Sequence, residues 1–370
     1  MMKQFDRKIV LEDGSEYYGK GFGSEKSTIT ELVFHTGMVG YQEILSDPSY
    51  TYQTVVMAYP LIGNYGMVET DYETALPTIG GLVVREYNDV PSNFCSKASL
   101  GKIMKAYQIP GLSGVDTRQI IRKIRNTGSC KAFLTDASMP KKECMEQLKK
   151  YQFPRDAVAS VSRKKIEYYP LVENQYHVAV IDCGMKQNIV RCLQQRSCAL
   201  TVYPWNTTAE IITQEKPDGI FLSNGPGNPE EMKSVIELVQ TLRGRYPIFG
   251  ICLGHQIISL AYGAKTYKMK FGHRGGNHPV KRLIDGKIEI TSQNHSYAVD
   301  AESLKRTKLE LTHVNLLDGT VEGAACPEEH VFGVQYHPES APGPRDSMYL
   351  FDQFIQEMEE NKYGKKDRFE

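Results

Sequence analysis

Tyr246-Pro247-Ile248-Phe249-Gly250-Ile251-Cys252-Leu253-Gly254-His255 reads as a buried strand that turns at once into a helix running on to Tyr262. So sharp a turn leaves no room for a Cβ on either side of the turning residue. The glycines at 250 and 254 therefore bracket Cys252, whose side chain is expected to stand exposed at the C-terminal edge of a sheet. The helix N-terminus adds positive partial charge and unpaired N–H groups. Both favour a thiolate there and stabilise an oxyanion formed beside it. Cys252 is thus the candidate nucleophile, fit to attack a carbonyl carbon. Cys95, Cys130, Cys144, Cys183, Cys192, Cys198 and Cys326 lack the glycine bracket, and no two cysteines stand in a C-x-x-C pair.

A thiolate nucleophile needs a base. Gly333-Val334-Gln335-Tyr336-His337-Pro338-Glu339 follows the apolar pair Val331-Phe332. His337, which titrates near neutrality, can take the thiol proton and return it to a leaving amine. Glu339, two residues on, falls on the same side of an extended segment and can orient the imidazole through its other nitrogen. Ser223-Asn224-Gly225-Pro226-Gly227-Asn228-Pro229 is a plain turn by composition. Placed after a strand and before the elbow, it can also bring backbone N–H groups close to a ligand.

In Cys252, His337 and Glu339, taken in that order, the chain resembles the class I, or triad, glutamine amidotransferase family. Ser223–Pro229 is similar to the family's oxyanion and glutamine-binding loop, and Gln293-Asn294-His295-Ser296-Tyr297 to its second substrate strand. The resemblance implies hydrolysis of L-glutamine through a glutamyl thioester. It also implies a substrate pocket made by Ser49, Gly225, Gly227, Leu253, Gln256, Asn294, Ser296 and Tyr297. Ser296-Tyr297 departs from the commoner Gly-Phe pair, where backbone contacts are expected. Ser49 requires the N-terminal domain to reach the site; the alternative there is an Asp-Pro-Ser-Tyr turn.

The N-terminal third narrows the likeness. Leu11-Glu12-Asp13-Gly14, the run Gly40–Tyr50, Tyr59–Gly66 and Asp116-Thr117-Arg118 resemble the carbamoyl-phosphate synthase small-chain branch, as does Lys270–Val280. That branch works with a carbamoyl-phosphate synthase large subunit, which takes ammonia and joins it to bicarbonate with ATP. The resemblance therefore implies no cofactor in this chain, with ATP and a divalent cation on the large subunit. Two alternatives stay open: a glutaminase subunit of another synthetase, and a non-catalytic regulatory subunit of the same fold.

The chain has 370 residues, 41% hydrophobic and 24% charged, which suits more than one soluble domain. Lys plus Arg equals Asp plus Glu at 44 each, so no global field favours nucleic acid or an anionic membrane. No stretch approaches the roughly 18 apolar residues of a membrane span, and the first residues lack an apolar signal core, so a cytoplasmic location is expected. Gly21–Thr28 misses a phosphate-loop pattern at Lys20 and Glu25, and no Cys or carboxylate is spaced to complete a site with His273 and His278, so no metal is expected.

Short β-like runs at Lys8–Leu11, Leu32–His35, Thr54–Met57 and Gly81–Val84 dominate the beginning, with a helix near Asp116–Arg125. This reads as a β-rich α/β domain over 1–151. A polar linker is expected over 152–174. Alternating strands and helices from His177 predict a doubly wound α/β domain over 175–360, with ligands at the strands' C-terminal ends, followed by a charged, frayed tail over 361–370.

Overall fold

The structure, a computed structural model, describes residues 5–366, with side-chain burial up to residue 362. It divides into two compact units, Met1–Arg155 and Asp156–Glu370. Among the described residues no helix is long and apolar enough to cross a membrane.

In the first unit, the β-branched and aromatic runs become strands β1 (Arg7–Leu11), β2 (Glu16–Gly23), β3 (Thr28–His35), β4 (Gln53–Met57), β5 (Leu61–Ile62), β6 (Gly81–Val83), β7 (Glu86–Tyr87), β8 (Pro110–Ser113) and β9 (Cys130–Asp136). Helices α1 (Tyr41–Ser46), α2 (Leu100–Ala106), α3 (Thr117–Thr127) and α4 (Lys141–Lys150) lie between or after them. A closed barrel runs β1-β2-β8-β6-β4-β3-β9, while β5 and β7 pair separately. Parallel neighbours need a crossover, and α1 lies between β3 and β4 as α2 lies between β6 and β8. Val33, Val55, Leu82, Leu100 and Met104 form part of its core. Lys8 is buried in β1 because its ammonium reaches Glu16 at 2.8 Å and the Met139 carbonyl at 2.7 Å.

The second unit contains β10 (Glu167–Tyr169), β11 (Tyr176–Asp182), β12 (Cys198–Pro204), β13 (Gly219–Leu222), β14 (Ile248–Ile251), β15 (Thr266–Arg282), β16 (Ile288–Val299), β17 (Glu310–Asn315), β18 (Val321–Cys326) and β19 (Val331–Val334). Its helices are α5 (Ala157–Val161), α6 (Gln187–Gln194), α7 (Ala209–Gln214), α8 (Lys233–Leu242), α9 (Leu253–Ala261), α10 (Ala301–Leu304) and α11 (Tyr349–Lys366). One ten-stranded sheet runs β10-β12-β11-β13-β14-β19-β18-β17-β15-β16. Strands β12, β11, β13, β14 and β19 are parallel. They read as nearly continuous apolar runs because both faces are covered. Ala179, Ile181, Ile220 and Leu222 face α8 and α9 on one side. Val178, Val180, Phe221 and Phe249 face α6 and α11 on the other. This is the doubly wound architecture expected from the alternating pattern, with an antiparallel extension, β18 to β16, that the pattern did not announce.

Two boundaries need correction. The segment read as a linker, 152–174, holds α5 and β10, and β10 pairs antiparallel with β12. Val158 sits in the core, and Arg163 binds Asp182 at 2.9 Å, so these polar residues are held by partners rather than left as a tether. The charged tail is helical through Lys366, continuing α11 beyond its apolar face of Leu350, Phe354 and Met358. Residues 367–370 lie outside the described residues.

Candidate active site

Strand β14 ends at Ile251 and α9 begins at Leu253, so Cys252 alone makes the turn, with φ 54 and ψ −101. A side chain is strained in that conformation. The glycine bracket is steric: a Cβ on Gly250 would lie 2.6 Å from the Gly254 carbonyl carbon. One on Gly254 would lie 2.4 Å from the Leu222 oxygen. Leu253, first in the helix, carries an N–H with no intrahelical acceptor.

The thiol is not exposed as its turn alone suggested; Cys252 is 3% accessible. The reason is β16, whose Asn294 carbonyl accepts from Sγ at 3.7 Å, and Gln335, whose amide donates to Sγ at 3.6 Å. Gln256, one turn into α9, donates to the Tyr297 carbonyl at 2.7 Å and to Gln335 Oε1 at 2.9 Å, tying helix to strand. Ser296 Oγ takes a hydrogen bond from Arg274, across the β15–β16 pair. Gly225 follows β13 where a Cβ would meet the Cys183 oxygen at 2.2 Å, and Gly227 turns with φ +94.

His337 and Glu339 follow β19. They meet across a bend and turn instead of along an extended segment. Nδ1 of His337 lies 2.7 Å from Glu339 Oε1, while Nε2 has no hydrogen bond. The His337 N–H donates to the Ser292 carbonyl at 2.8 Å, fixing the ring's backbone to β16. Burial opposes a charge on the imidazole, but Glu339 and then Cys252 outweigh it and push its pKa up to about 10. Burial also opposes the Glu339 carboxylate, yet Lys186 and then His337 hold it down at about 2.

The expected residues Cys252, Leu253, Gln256, Asn294, Ser296, Tyr297, Gly225, Gly227, His337 and Glu339 all belong to the second unit. Ser49 belongs to the first, in the short 3-10 turn Pro48–Tyr50, where its N–H donates to Asp47 Oδ1 at 2.9 Å. Sequence reading missed Lys186, Gln335 and Arg274. Lys186 had a usable signal: it lies in the turn after β11, at the same C-terminal sheet edge as the elbow.

His273 also has closer company than the sequence showed. His295 and Glu322 stand with it, their ligand atoms within 4.8 Å of one another. A separation of dozens of residues in sequence hid the carboxylate. Each side chain is nevertheless engaged: His273 with Asp318 at 2.9 Å, Glu322 with the Asn315 amide at 2.9 Å, and His295 with the Tyr297 carbonyl at 2.8 Å.

A thiol at a strand-to-helix elbow, an imidazole backed by a carboxylate, and a doubly wound sheet are the marks of a class I glutamine amidotransferase domain. The family model described as Glutamine amidotransferase class-I matches residues 179–357. A second, described as Carbamoyl-phosphate synthase small chain, CPSase domain, matches residues 9–134. The chain is 52% identical to the carbamoyl phosphate synthase small chain of Staphylococcus epidermidis, over 96% of this chain and 97% of that one. It is 50% identical to the carbamoyl phosphate synthase pyrimidine-specific small chain of Halalkalibacterium halodurans, over 96% and 98%. The chain belongs to the carbamoyl phosphate synthase small chain family.

Proposed function

We propose that this chain hydrolyses L-glutamine to glutamate and ammonia, and passes the ammonia to a carbamoyl-phosphate synthase large subunit for joining to bicarbonate with ATP. The observation that carries the reading is the elbow: Cys252 at positive φ heads α9, and His337, oriented by Glu339, keeps Nε2 unpartnered.

In this mechanism the Cys252 sulfur bonds to the carboxamide carbon and the carbonyl electron pair moves to oxygen. The Leu253 N–H and the Gly225–Gly227 backbone are the donors for that oxyanion. His337, protonated, gives its proton to nitrogen as the C–N bond breaks, so ammonia leaves and a glutamyl thioester remains. His337 then takes a proton from water, whose oxygen attacks the thioester carbon. The C–S bond breaks, glutamate departs, and the sulfur and imidazole return to their starting states. Gln256, Asn294, Ser296 and Tyr297 line the glutamine pocket, and the N-terminal unit serves chiefly to dock on the large subunit. ATP and its divalent cation belong to that subunit, and this chain needs no cofactor.

The test is Cys252→Ala in the complex with the large subunit. Glutamine-dependent carbamoyl phosphate synthesis should vanish while ammonium-dependent synthesis persists. Equal loss of both would make Cys252 structural, and retained glutamine use would point to a different nucleophile.

A further inference from the structure

We propose that Arg274, acting through the hydroxyl of Ser296, is a specificity-determining residue of the glutaminase centre: it turns that hydroxyl into a donor for the α-carboxylate of glutamine. The inference rests on the glutaminase reading above and deepens it.

Arg274, on β15, is 3% accessible. Its Nη1 donates to the Phe271 carbonyl at 2.6 Å, and its Nη2 donates to Ser296 Oγ on β16. The hairpin is shaped for this reach. Its register passes from Lys268 opposite Tyr297 to His273 opposite His295, so Met269–Gly272 bulge against Ser296 alone. Gly272 makes the bend at φ +71, and a Cβ there would lie 2.6 Å from Nη1, in the space the guanidinium fills. Arg274 stands opposite Asn294, so its side chain shares a face of the hairpin with Asn294 and, two residues on, Ser296.

The pair is directional. A guanidinium has donors and no acceptor, so the Ser296 oxygen accepts from it and the hydroxyl's own hydrogen points elsewhere. Among the described residues that hydrogen has no acceptor, and Ser296 is only half-buried. An oxygen that accepts from a cation becomes a stronger donor through its own hydrogen. The buried positive charge behind it favours an anion in front.

Length decides which anion. The Asn294 carbonyl lies 3.7 Å from Cys252 Sγ, and the Tyr297 carbonyl accepts from Gln256 at 2.7 Å, so this stretch of β16 runs outward from the nucleophile along the elbow helix. Ser296 is two residues beyond Asn294, about 7 Å along a strand. In extended glutamine the carboxamide carbon and the α-carboxylate carbon are four bonds apart, about 5 Å. A glutamine that offers its carboxamide to Cys252 and lies along β16 therefore brings its α-carboxylate to Ser296 Oγ. The α-ammonium group cannot take that place, because a hydroxyl so oriented presents hydrogen to hydrogen.

The experiment measures hydrolysis of L-glutamine and of L-glutamine α-amide, whose α-carboxyl group is a neutral carboxamide. Native, Ser296→Ala and Arg274→Gln chains are compared in the complex with the large subunit. Each substitution should raise KM for glutamine about 10-fold, the scale of a charge-assisted hydrogen bond. The value of kcat should stay within about twofold, because the contact is made equally in the ground and transition states. Preference in kcat/KM for the acid over the amide should fall by the same factor, and the double variant should be no worse than either single one. A native preference in either variant, or losses that multiply in the double variant, would overturn the proposal. So would a fall in kcat alike for both substrates, the mark of an arginine that only holds the hairpin. If Arg274→Gln does not fold, shown by failure to co-purify with the large subunit, Ser296→Ala alone decides: an unchanged preference overturns the proposal, and a loss of about 10-fold supports it. Failure of the underlying reading would look different, as glutamine turnover surviving Cys252→Ala.

Discussion

Gly254 lies directly against Leu222: a Cβ on Gly254 would come within 2.8 Å of the Leu222 Cβ as well as striking its carbonyl. Helix α9 can seat on β13 at this depth only because the side chain is missing. Gly254→Ala should therefore lower stability by about 1–3 kcal/mol, the usual effect of overpacking, and shift the elbow enough to slow glutamine hydrolysis. Urea unfolding and glutaminase assays check this. An unchanged midpoint with native activity would mean that the helix can lift at no cost.

Alkylation should single out Cys252. A chloromethyl ketone shaped like glutamine should label it, and glutamine should protect it. Burial pushes the Cys130 thiol up to about 11 and the Cys198 thiol up to about 12, which keeps both inert near neutral pH. Cys95, exposed, is the control, because its modification by a generic reagent should ignore glutamine. Peptide mass mapping reads the outcome, and adducts spread evenly over the buried thiols would refute activation at 252.

Under the proposed mechanism, His337 and Glu339 should separate in magnitude. His337→Asn should leave glutamine turnover at background, and Glu339→Gln should cost less, as in subtilisin, where loss of the triad acid costs about 3 × 10⁴ against about 2 × 10⁶ for the base. Both variants should retain ammonium-dependent synthesis. Equal losses would mean that Glu339 does more than orient.

The pair His273–Asp318 should leave a mark on stability. Burial opposes the imidazolium, but Asp318 and Glu322 outweigh it and lift His273 to about 9 from 6.5. Because the folded value is the higher one, the stabilisation is complete below about pH 6.5 and fades as pH rises through about 9. Asp318→Asn should flatten this alkaline decline without changing its sign elsewhere. Chemical unfolding between pH 6 and 9.5 measures it, and parallel curves for the two proteins would remove the pair from the account.

Truncation should be sensitive to where it falls. A fragment from Asp156 keeps α5, β10 and the Arg163–Asp182 pair, whereas one from Leu171 loses all three. The shorter fragment should be less stable by about 2–3 kcal/mol, the figure for breaking a buried pair discounted because Arg163 is 19% accessible. Equal stability would return 156–170 to the status of a tether.

The parallel strands and the elbow were legible because their signals are local: apolar runs of strand length, and a glycine bracket around one cysteine. Strands β13 (Gly219–Leu222) and β14 (Ile248–Ile251) are apolar runs of this kind. The long hairpin of β15 and β16 was not, because its glycines and polar residues mask any alternation. Closure of the N-terminal barrel depends on which strands pair across the sequence, as β1 does with β9, and no local pattern records that. Lys186 escaped for the same reason. Its meaning comes from Glu339, far along the chain, whereas His337 and Glu339 are neighbours that announce each other.

The positive φ of Cys252 sets the site against the rest of the molecule. At φ 54 and ψ −101 this position would be more comfortable as glycine. Sequences selected for heat resistance alone would drift toward glycine at 252 and lose the thiol. A cysteine there keeps the thiol at the turn through a small, local surrender of stability.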